Sequence, residues 1–539
     1  MNRNFLYAIA FLLLGVGAAW LIIRDAVEDQ DKLVEAPKEK SSTEHLLSPN
    51  SDLPKNLGTR TKRKLTVDDI LAIPNERIVR FANEAAYRDA LARLKNSDFK
   101  LLGQLDRFRA LRIGGTDFFN LKDLLGEDTN GSSNYLVSLP LVPDTSTISN
   151  GAGFGSSALD FLNVGDNAAW GEGVTVAIID TGITSHIALP EGIRQITVSG
   201  VSADDAIHGH GQAVTSLIVG QHSRIPGVAP SSTAISIRVA DSGGSSNSFL
   251  LAEGISAAVD AGAQVINISM GSYGDSQLVR EAISYAQASG AVIVASAGNE
   301  GFPTAAYPAA YDGVISVGAI DAAATQMNFS NQSDNLSITA PGYEAVAAWT
   351  DDSAISFTGT SASAPFVSGT LAAIISESSV PINGAQAGEI LLQYTNEAGA
   401  PGHDSSYGNG YLDIGRVMER DTPGITDLAL AGYYYEFDQF SESGNGLQIT
   451  VENQGYETVF GSQLSVDVDG ANYPIRIPQL AANERHVVNL PVGQTALQQD
   501  GLLPVIGVLT YLGETVDAQP ANNHRAETIT SPTTSGNGP

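Results

Sequence analysis

The sequence predicts an α/β protein in which a central domain built on a parallel β-sheet follows a small α+β module and precedes an all-β sandwich. In residues 152–420, short apolar runs alternate with helical stretches such as Phe249–Ala261 and Val279–Ser289. Buried, β-rich runs that are separated by helices are typical of a parallel sheet covered on both faces. The runs are Val174–Ile179, Ala234–Val239, Val265–Ile268, Ala291–Ala295 and Gly313–Val317.

The two flanking regions show other patterns. Residues 66–145 have the order strand–helix–strand–strand, which suits a split βαβ module. The corresponding stretches are Arg77–Phe81, Glu84–Leu94, Lys100–Leu102 and Ala110–Ile113. In residues 425–530, Leu447–Val451 and Gln463–Val468 alternate apolar and polar residues and are followed by turn residues. This period of two predicts a β-sandwich.

The composition excludes several classes of function. The 539 residues contain 29 Lys and Arg against 59 Asp and Glu, which gives a net charge of −30. A nucleic-acid partner is therefore not expected, because phosphate binding requires a basic surface. The absence of cysteine excludes thiolate catalysis, thiolate metal sites and disulfide bonds.

The N-terminus predicts export. An uncharged apolar run, Phe5–Ile23, lies between Arg3 and Arg24, so residues 1–24 form either a signal sequence or a retained membrane anchor. The length of the run favours the anchor, and we place the rest of the chain outside the cytoplasm, secreted or attached to the membrane. The polar residues 25–65 are expected to form a flexible linker, and residues 531–539 a disordered tail.

Four polar stretches in the central region carry candidate chemistry. Asp180 directly follows a predicted buried strand, where a carboxylate is costly unless it is hydrogen-bonded. His210 lies between two glycines at the start of an apolar helix, and His208 is its rival. Asn299 places an amide donor after another strand. Each of these stretches, taken alone, also fits an ordinary turn.

The fourth stretch is Gly359–Pro365, with Ser361 near its start. We expect Ser361 to lie where a loop enters a helix and Pro365 to occupy the first turn of that helix. The backbone N–H of Ser361 would then be one of the unpaired donors at a helix N-terminus. Such a hydroxyl becomes a nucleophile if a base and an oxyanion-stabilising donor stand beside it.

Together, the four stretches supply the full requirement for acyl transfer by a serine hydrolase. Residues 152–418 resemble the catalytic domain of the subtilisin-like serine proteases, or subtilases, in which the order along the chain is also Asp, His, Ser. The resemblance rests on six stretches in order: Val176–Gly182, His210-Gly211, Gly227–Pro230, Val265–Gly271, Ala297–Gly301 and Gly359–Ser361. It implies a subtilisin-like fold and serine endopeptidase activity.

The resemblance also implies residue roles. Asp180 would orient His210, His210 would act as general base and acid, and Ser361 would attack the scissile carbonyl. Asn299 and the N–H of Ser361 would form the oxyanion hole.

The substrate-binding residues follow in the same way. Ser269, Met270 and Gly271 would pair with the substrate backbone and line the S1 pocket. Glu300 would lie near its floor and Ala306 would leave it roomy, so a large apolar P1 residue is expected and a basic one is tolerated. Catalysis would need no cofactor, and a structural Ca²⁺ has no identifiable ligands.

The flanking regions acquire roles through the resemblance as well. Residues 66–145 occupy the place of a subtilase propeptide, which would inhibit its own catalytic domain until a cut within residues 140–156. Residues 425–530 resemble the adhesion-type sandwich modules of bacterial surface proteins.

Two other readings remain open at this level. In an aspartic protease, Asp180 would have to meet Asp241 across two lobes, and the separation between them is short for that. In a surface adhesion protein, the subtilase scaffold would be catalytically inactive.

Overall fold

The computed structural model describes residues 71–116, 118, 121–125, 129–143, 151–203, 205–436, 446–492, 502–512 and 516–530. The expected signal or anchor (1–24), linker (25–65) and tail (531–539) lie outside these residues. No helix in the described part of the chain combines the length and the apolar character that crossing a membrane requires.

The N-terminal module is a split βαβ unit with one strand more than expected. Its elements are β1 (Ala72–Phe81), α1 (Glu84–Leu94), β2 (Lys100–Leu105), β3 (Ala110–Gly114), α2 (Leu121–Leu125) and β4 (Thr129–Ser138). Sequence reasoning missed β4 because its first half, Thr129–Ser133, is polar and contains a glycine. This strand is held by pairing on both sides, with β1 and with residues 245–247 of the central domain.

The central domain contains the expected parallel sheet. Its strands are β5 (Thr175–Asp180), β6 (Arg194–Thr197), β9 (Thr233–Arg238), β11 (Val265–Ile268), β12 (Val292–Ser296), β13 (Val314–Ile320) and β14 (Ile338–Pro341). Their order is β14-β13-β12-β11-β5-β9-β6, and every neighbouring pair is parallel. Each apolar run identified in the sequence corresponds to one of these strands.

Short hairpins and helices complete this domain. The remaining strands are β7 (Gln221–His222), β8 (Ile225–Pro226), β10 (Ser245–Asn247), β15 (Ala345–Ala348) and β16 (Ala354–Phe357). The helices are α3 (Ala158–Phe161), α4 (His210–Val219), α5 (Ser248–Asp260), α6 (Gln277–Ala288), α7 (Thr360–Glu377), α8 (Gly384–Gln393) and α9 (Ile414–Met418). Helix α7 is buried from Thr360 to Ile374 and packs against the parallel sheet.

Ser361 lies at the start of helix α7, as expected, but Pro365 is not in the first turn. Helix α7 already begins at Thr360, so Ser361 is its second residue and Pro365 falls in the second turn rather than the first. Proline has no N–H to donate to the carbonyl four residues earlier, which here belongs to Ser361. The Ser269 hydroxyl donates to that carbonyl instead, at 3.3 Å. The chain turns at Gly359, whose φ of 134° is readily adopted only by glycine.

The C-terminal region forms two antiparallel sheets. One has the order β17 (Leu428–Glu436), β18 (Gly446–Asn453), β21 (Arg485–Leu490). The other has the order β20 (Ala471–Ile477), β19 (Ser462–Val468), β22 (Leu502–Tyr511), β23 (His524–Thr530). Alternate side chains of β19 and β22 are buried, as the period of two predicts.

A buried ionic network joins this region to the central domain. Glu452 of β18 accepts hydrogen bonds from Arg416 of α9 at 3.3 Å and from Arg485 at 3.0 Å. Arg485 also lies 2.5 Å from Glu397. Burial alone would raise the pKa of Glu452, but the two arginines together hold it below its usual value. Arg416 and Arg485 therefore compensate the buried charge of Glu452, and removing either arginine would leave that charge less compensated.

The network predicts a pH dependence of stability. Burial raises the pKa of Glu397 from 4.5 to about 8, against the attraction of Arg485. Since the folded protein holds this proton more tightly than the unfolded chain, the contribution of Glu397 to stability is complete below about pH 4.5 and is lost as the pH rises to about 8. Glu397→Gln resembles the protonated form, so its free energy of unfolding should rise relative to that of the parent across this range.

Urea unfolding between about pH 5 and 9 measures this difference. Both proteins should carry Ser361→Ala, so that proteolysis cannot interfere. A difference that stays constant, or that increasingly favours the parent as the pH rises, would contradict the assignment.

Candidate active site

Asp180 and His210 meet where β5 ends and α4 begins. Asp180 is 1% exposed, and its Oδ1 accepts the Thr181 N–H at 2.7 Å. The Nδ1 of His210 lies 2.9 Å from both carboxylate oxygens. The carboxylate therefore fixes the orientation of the imidazole, and the other ring nitrogen is available for proton transfer.

His208, the rival histidine, occupies a different place. Its Nδ1 accepts the backbone N–H of His210 at 3.2 Å, and its ring packs edge-on against Trp349. Burial and the neighbouring His210 lower the pKa of His208. The structure thus brings His210, and not His208, to the buried carboxylate.

Ser361 and Asn299 lie side by side at the start of α7. Ser361 is 3% exposed, and its hydroxyl donates to the Ser269 carbonyl at 3.1 Å. The Oδ1 of Asn299 accepts the backbone N–H of Thr360 at 2.8 Å and its hydroxyl at 2.9 Å. These bonds assign the amide orientation and leave Nδ2 as the outward donor. Gly359 permits this approach, since a Cβ there would lie 2.6 Å from that nitrogen.

The segment that follows β4 lies in the cleft beside these residues. Ser138 exchanges two backbone hydrogen bonds with Gly271, at 3.0 and 2.9 Å. The Leu139 N–H donates to the Gly244 carbonyl at 3.2 Å. The Nδ2 of Asn299 donates to the Leu141 carbonyl at 2.9 Å. An extended peptide is therefore held between two backbone edges, in the manner of an added β-strand.

Comparison with known proteins identifies the family. The subtilase family model matches residues 171–410. The thermostable alkaline protease of Halalkalibacterium halodurans is 32% identical over 278 residues, which are 51% of this chain and 75% of the relative. Subtilisin DY of Bacillus licheniformis is 34% identical over 251 residues, which are 45% of this chain and 90% of the relative. The chain belongs to the subtilase family.

This subtilase is accordingly a serine endopeptidase with a subtilisin-like parallel-sheet domain. The solved structure of the prenylagaramide maturation protease PagA is also similar, at 26% identity and a TM-score of 0.43, over 48% of this chain and 97% of its own. The aspartic protease reading is wrong. Asp180 faces His210, whereas the exposed Asp241 accepts the N–H groups of Gly243 and Ser245.

The expected substrate-binding residues of the subtilase have different surroundings in the structure. Ser269 contacts Ser361, and Gly271 pairs with Ser138. The side chain of Met270 is fully buried in the core instead. A Cβ on Gly271 would lie 3.0 Å from the Cβ of Ala306, so these two small residues approach closely.

Glu300 has a partner that the sequence did not suggest. Its Oε2 accepts the hydroxyl of Tyr273 and the backbone N–H of Asn299. Tyr273 and Asn331 were not identified from the sequence. Asn331 donates to the oxygen of Tyr273 at 2.7 Å. Neither lies in a stretch with a sequence signal of its own, because their role depends only on where the fold places them.

No metal site is evident in the described residues of the subtilase. Within them, no three histidine, cysteine or acidic side chains are grouped so that they could hold an ion. The possible structural Ca²⁺ therefore stays a prediction without a ligand set.

Proposed function

We propose that this subtilase cleaves peptide bonds through Asp180, His210 and Ser361, with Asn299 and the N–H of Ser361 as the oxyanion hole. The observation that carries the proposal is the hydrogen bond from Asn299 Nδ2 to the Leu141 carbonyl, together with an imidazole that a buried carboxylate orients. A donor aimed at a carbonyl oxygen of a bound peptide is what acyl transfer requires.

The chemistry follows from these positions. The Ser361 hydroxyl turns from the Ser269 carbonyl toward His210 and attacks the carbonyl carbon while His210 takes its proton. The negative charge that forms on the carbonyl oxygen is stabilised by the two donors. As the C–N bond breaks, His210 returns the proton to the leaving amine and an acyl-enzyme remains. A water molecule then repeats the sequence and releases the acid.

Substitutions test these roles separately. Ser361→Ala should abolish both peptidase activity and labelling by a serine-directed inhibitor. Asn299→Ala should label more slowly and lose about 10²–10³ in kcat, the cost of removing one oxyanion-hole donor. Asp180→Asn should lose about 10⁴ in kcat, because the imidazole would adopt the wrong tautomer. Full labelling of the folded Ser361→Ala protein would contradict the assignment.

The same geometry supports a preference for a large apolar P1 residue. The residue whose carbonyl meets the oxyanion donor is Leu141, and Gly271, which pairs with Ser138 of the same stretch of chain, has only the small Ala306 close to it. The Oε2 of Glu300 is already occupied by hydrogen-bond donors, so a basic P1 residue would compete with them.

We also propose that the enzyme processes itself and that residues 66–145 act as its intramolecular inhibitor. Strand β4 joins β10, and the following segment reaches the oxyanion donor, so the module blocks the cleft with its own chain. Since the carbonyl of Leu141 receives the amide of Asn299, the bond presented for cleavage is Leu141–Val142. Val142 is 89% exposed, which leaves the departing side of that bond open to solvent.

Intact mass and N-terminal sequencing of residues 25–539 test this proposal. The wild type should yield a mature chain that begins at Val142, whereas Ser361→Ala should stay whole. Two uncut proteins would overturn self-processing, and an identical cut in both would assign the cleavage to a host protease. A cut elsewhere that depends on Ser361 would keep self-processing but reject the Leu141–Val142 bond.

The wider context of the enzyme is proposed from its sequence. The apolar run Phe5–Ile23 supports export, with either secretion or retention at the membrane. Residues 152–420 are proposed to be the catalytic domain. Residues 425–530 are proposed to be an adhesion-type module that follows it.

A further inference from the structure

The loop that carries Asn299 is held at several points by a single side chain. Asn331 is fully buried, and its Nδ2 donates to the Ala297 carbonyl at 3.0 Å. Its Oδ1 accepts the backbone N–H groups of Glu300 at 3.2 Å and Phe302 at 2.9 Å. The backbone N–H of Asn331 donates to Gly298 at 3.1 Å. One asparagine therefore fixes the loop on both sides of Asn299.

A second set of contacts reaches Asn299 itself. The Oε2 of Glu300 accepts the Asn299 backbone N–H at 2.9 Å and also accepts the Tyr273 hydroxyl. Because Asn331 Nδ2 donates to the Tyr273 oxygen, the hydroxyl proton points to Glu300. The ring of Phe302 packs against Tyr273 with centroids 5.3 Å apart. Burial and the nearby carboxylate raise the pKa of Tyr273, which keeps the hydroxyl protonated as a donor.

Asn299 is thus anchored at two ends. Thr360 holds its side-chain oxygen, and Glu300 holds its backbone nitrogen. Both anchors are needed to aim Nδ2, because a side chain fixed at one atom can still rotate about it. A displacement of about 1 Å at a catalytic group can cost about 10²-fold in rate.

We propose that Tyr273 is a positioning residue for the oxyanion hole. It orients the Glu300 carboxylate, and this carboxylate fixes the backbone of Asn299 so that Nδ2 points at the developing oxyanion. The inference rests on the proposed role of Asn299 as an oxyanion-hole donor. In this proposal, Glu300 holds the Asn299 loop in place and does not recognise the substrate side chain.

A double-mutant cycle on Tyr273 and Asn299 tests the proposal. Tyr273→Phe should lower kcat about tenfold with KM nearly unchanged, less than the 10²–10³-fold expected for Asn299→Ala. The double variant should be no slower than Asn299→Ala, because the tyrosine acts only through that amide. Each kcat is measured on a peptide anilide ending in Leu-Pro-Leu and normalised by titration with a serine-directed inhibitor, so incomplete maturation does not enter.

Conservative and matched variants separate positioning from folding. Glu300→Gln keeps an oxygen acceptor for the Asn299 N–H and should retain most of kcat, whereas Glu300→Ala should fall at least as far as Tyr273→Phe. The control is Tyr311→Phe, which removes a hydroxyl that lies 3.0 Å from both the Asp275 carboxylate and the Ser276 carbonyl, away from the Asn299 loop. Its kcat should match the wild type.

Three outcomes would overturn the proposal. Additive losses in the double variant would show that Tyr273 acts elsewhere. A raised KM with unchanged kcat in Tyr273→Phe would make it a substrate-binding residue. Full kcat in Asn299→Ala would remove the oxyanion role of Asn299, and with it the basis of the inference, whereas the first two outcomes leave that role intact.

Discussion

The contact between the buried Asp180 carboxylate and His210 is the constraint on which the rest of the site depends. A carboxylate that is 1% exposed has to be hydrogen-bonded, and here the imidazole and the Thr181 N–H meet that need. Because Asp180 ends β5 and His210 begins α4, this pairing fixes the sheet edge against the helix. Ser269 follows β11 at the same edge, and its carbonyl contacts Ser361 at the start of α7. The parallel sheet thus gathers residues that are far apart in the chain.

The same edge explains how the N-terminal module meets the catalytic domain. Strand β4 is paired with β1 on one side and β10 on the other, so the module and the central domain share hydrogen-bonded backbone. The chain continues from there along Gly271 and Gly244 to the side-chain amide of Asn299. Backbone pairing of this kind depends little on side chains. The residues in the first half of β4 are polar, so the hydrophobic pattern of the sequence did not predict this strand.

The C-terminal sandwich is attached by a different kind of interaction. Arg416, Arg485, Glu397 and Glu452 form a network of ionisable side chains in which both arginines contact the buried Glu452 and Arg485 also contacts Glu397. Such networks contribute little net stability but are costly to break at one point. They therefore favour a single relative arrangement of the two domains over any displaced one, because a shift would leave buried charges unpaired.

The sequence by itself predicted the fold class and, through its resemblance to the subtilases, the family and the four residues on which the proposed chemistry rests. The reason is that these features are local: apolar runs of strand length, glycines at fixed offsets, and polar residues directly after strands. The tertiary structure alone decided the partners of those residues. Met270 turns into the core, and Pro365 leaves a carbonyl to Ser269. Tyr273 and Asn331 reach the Asn299 loop from 26 and 32 residues away, through contacts that only folding creates.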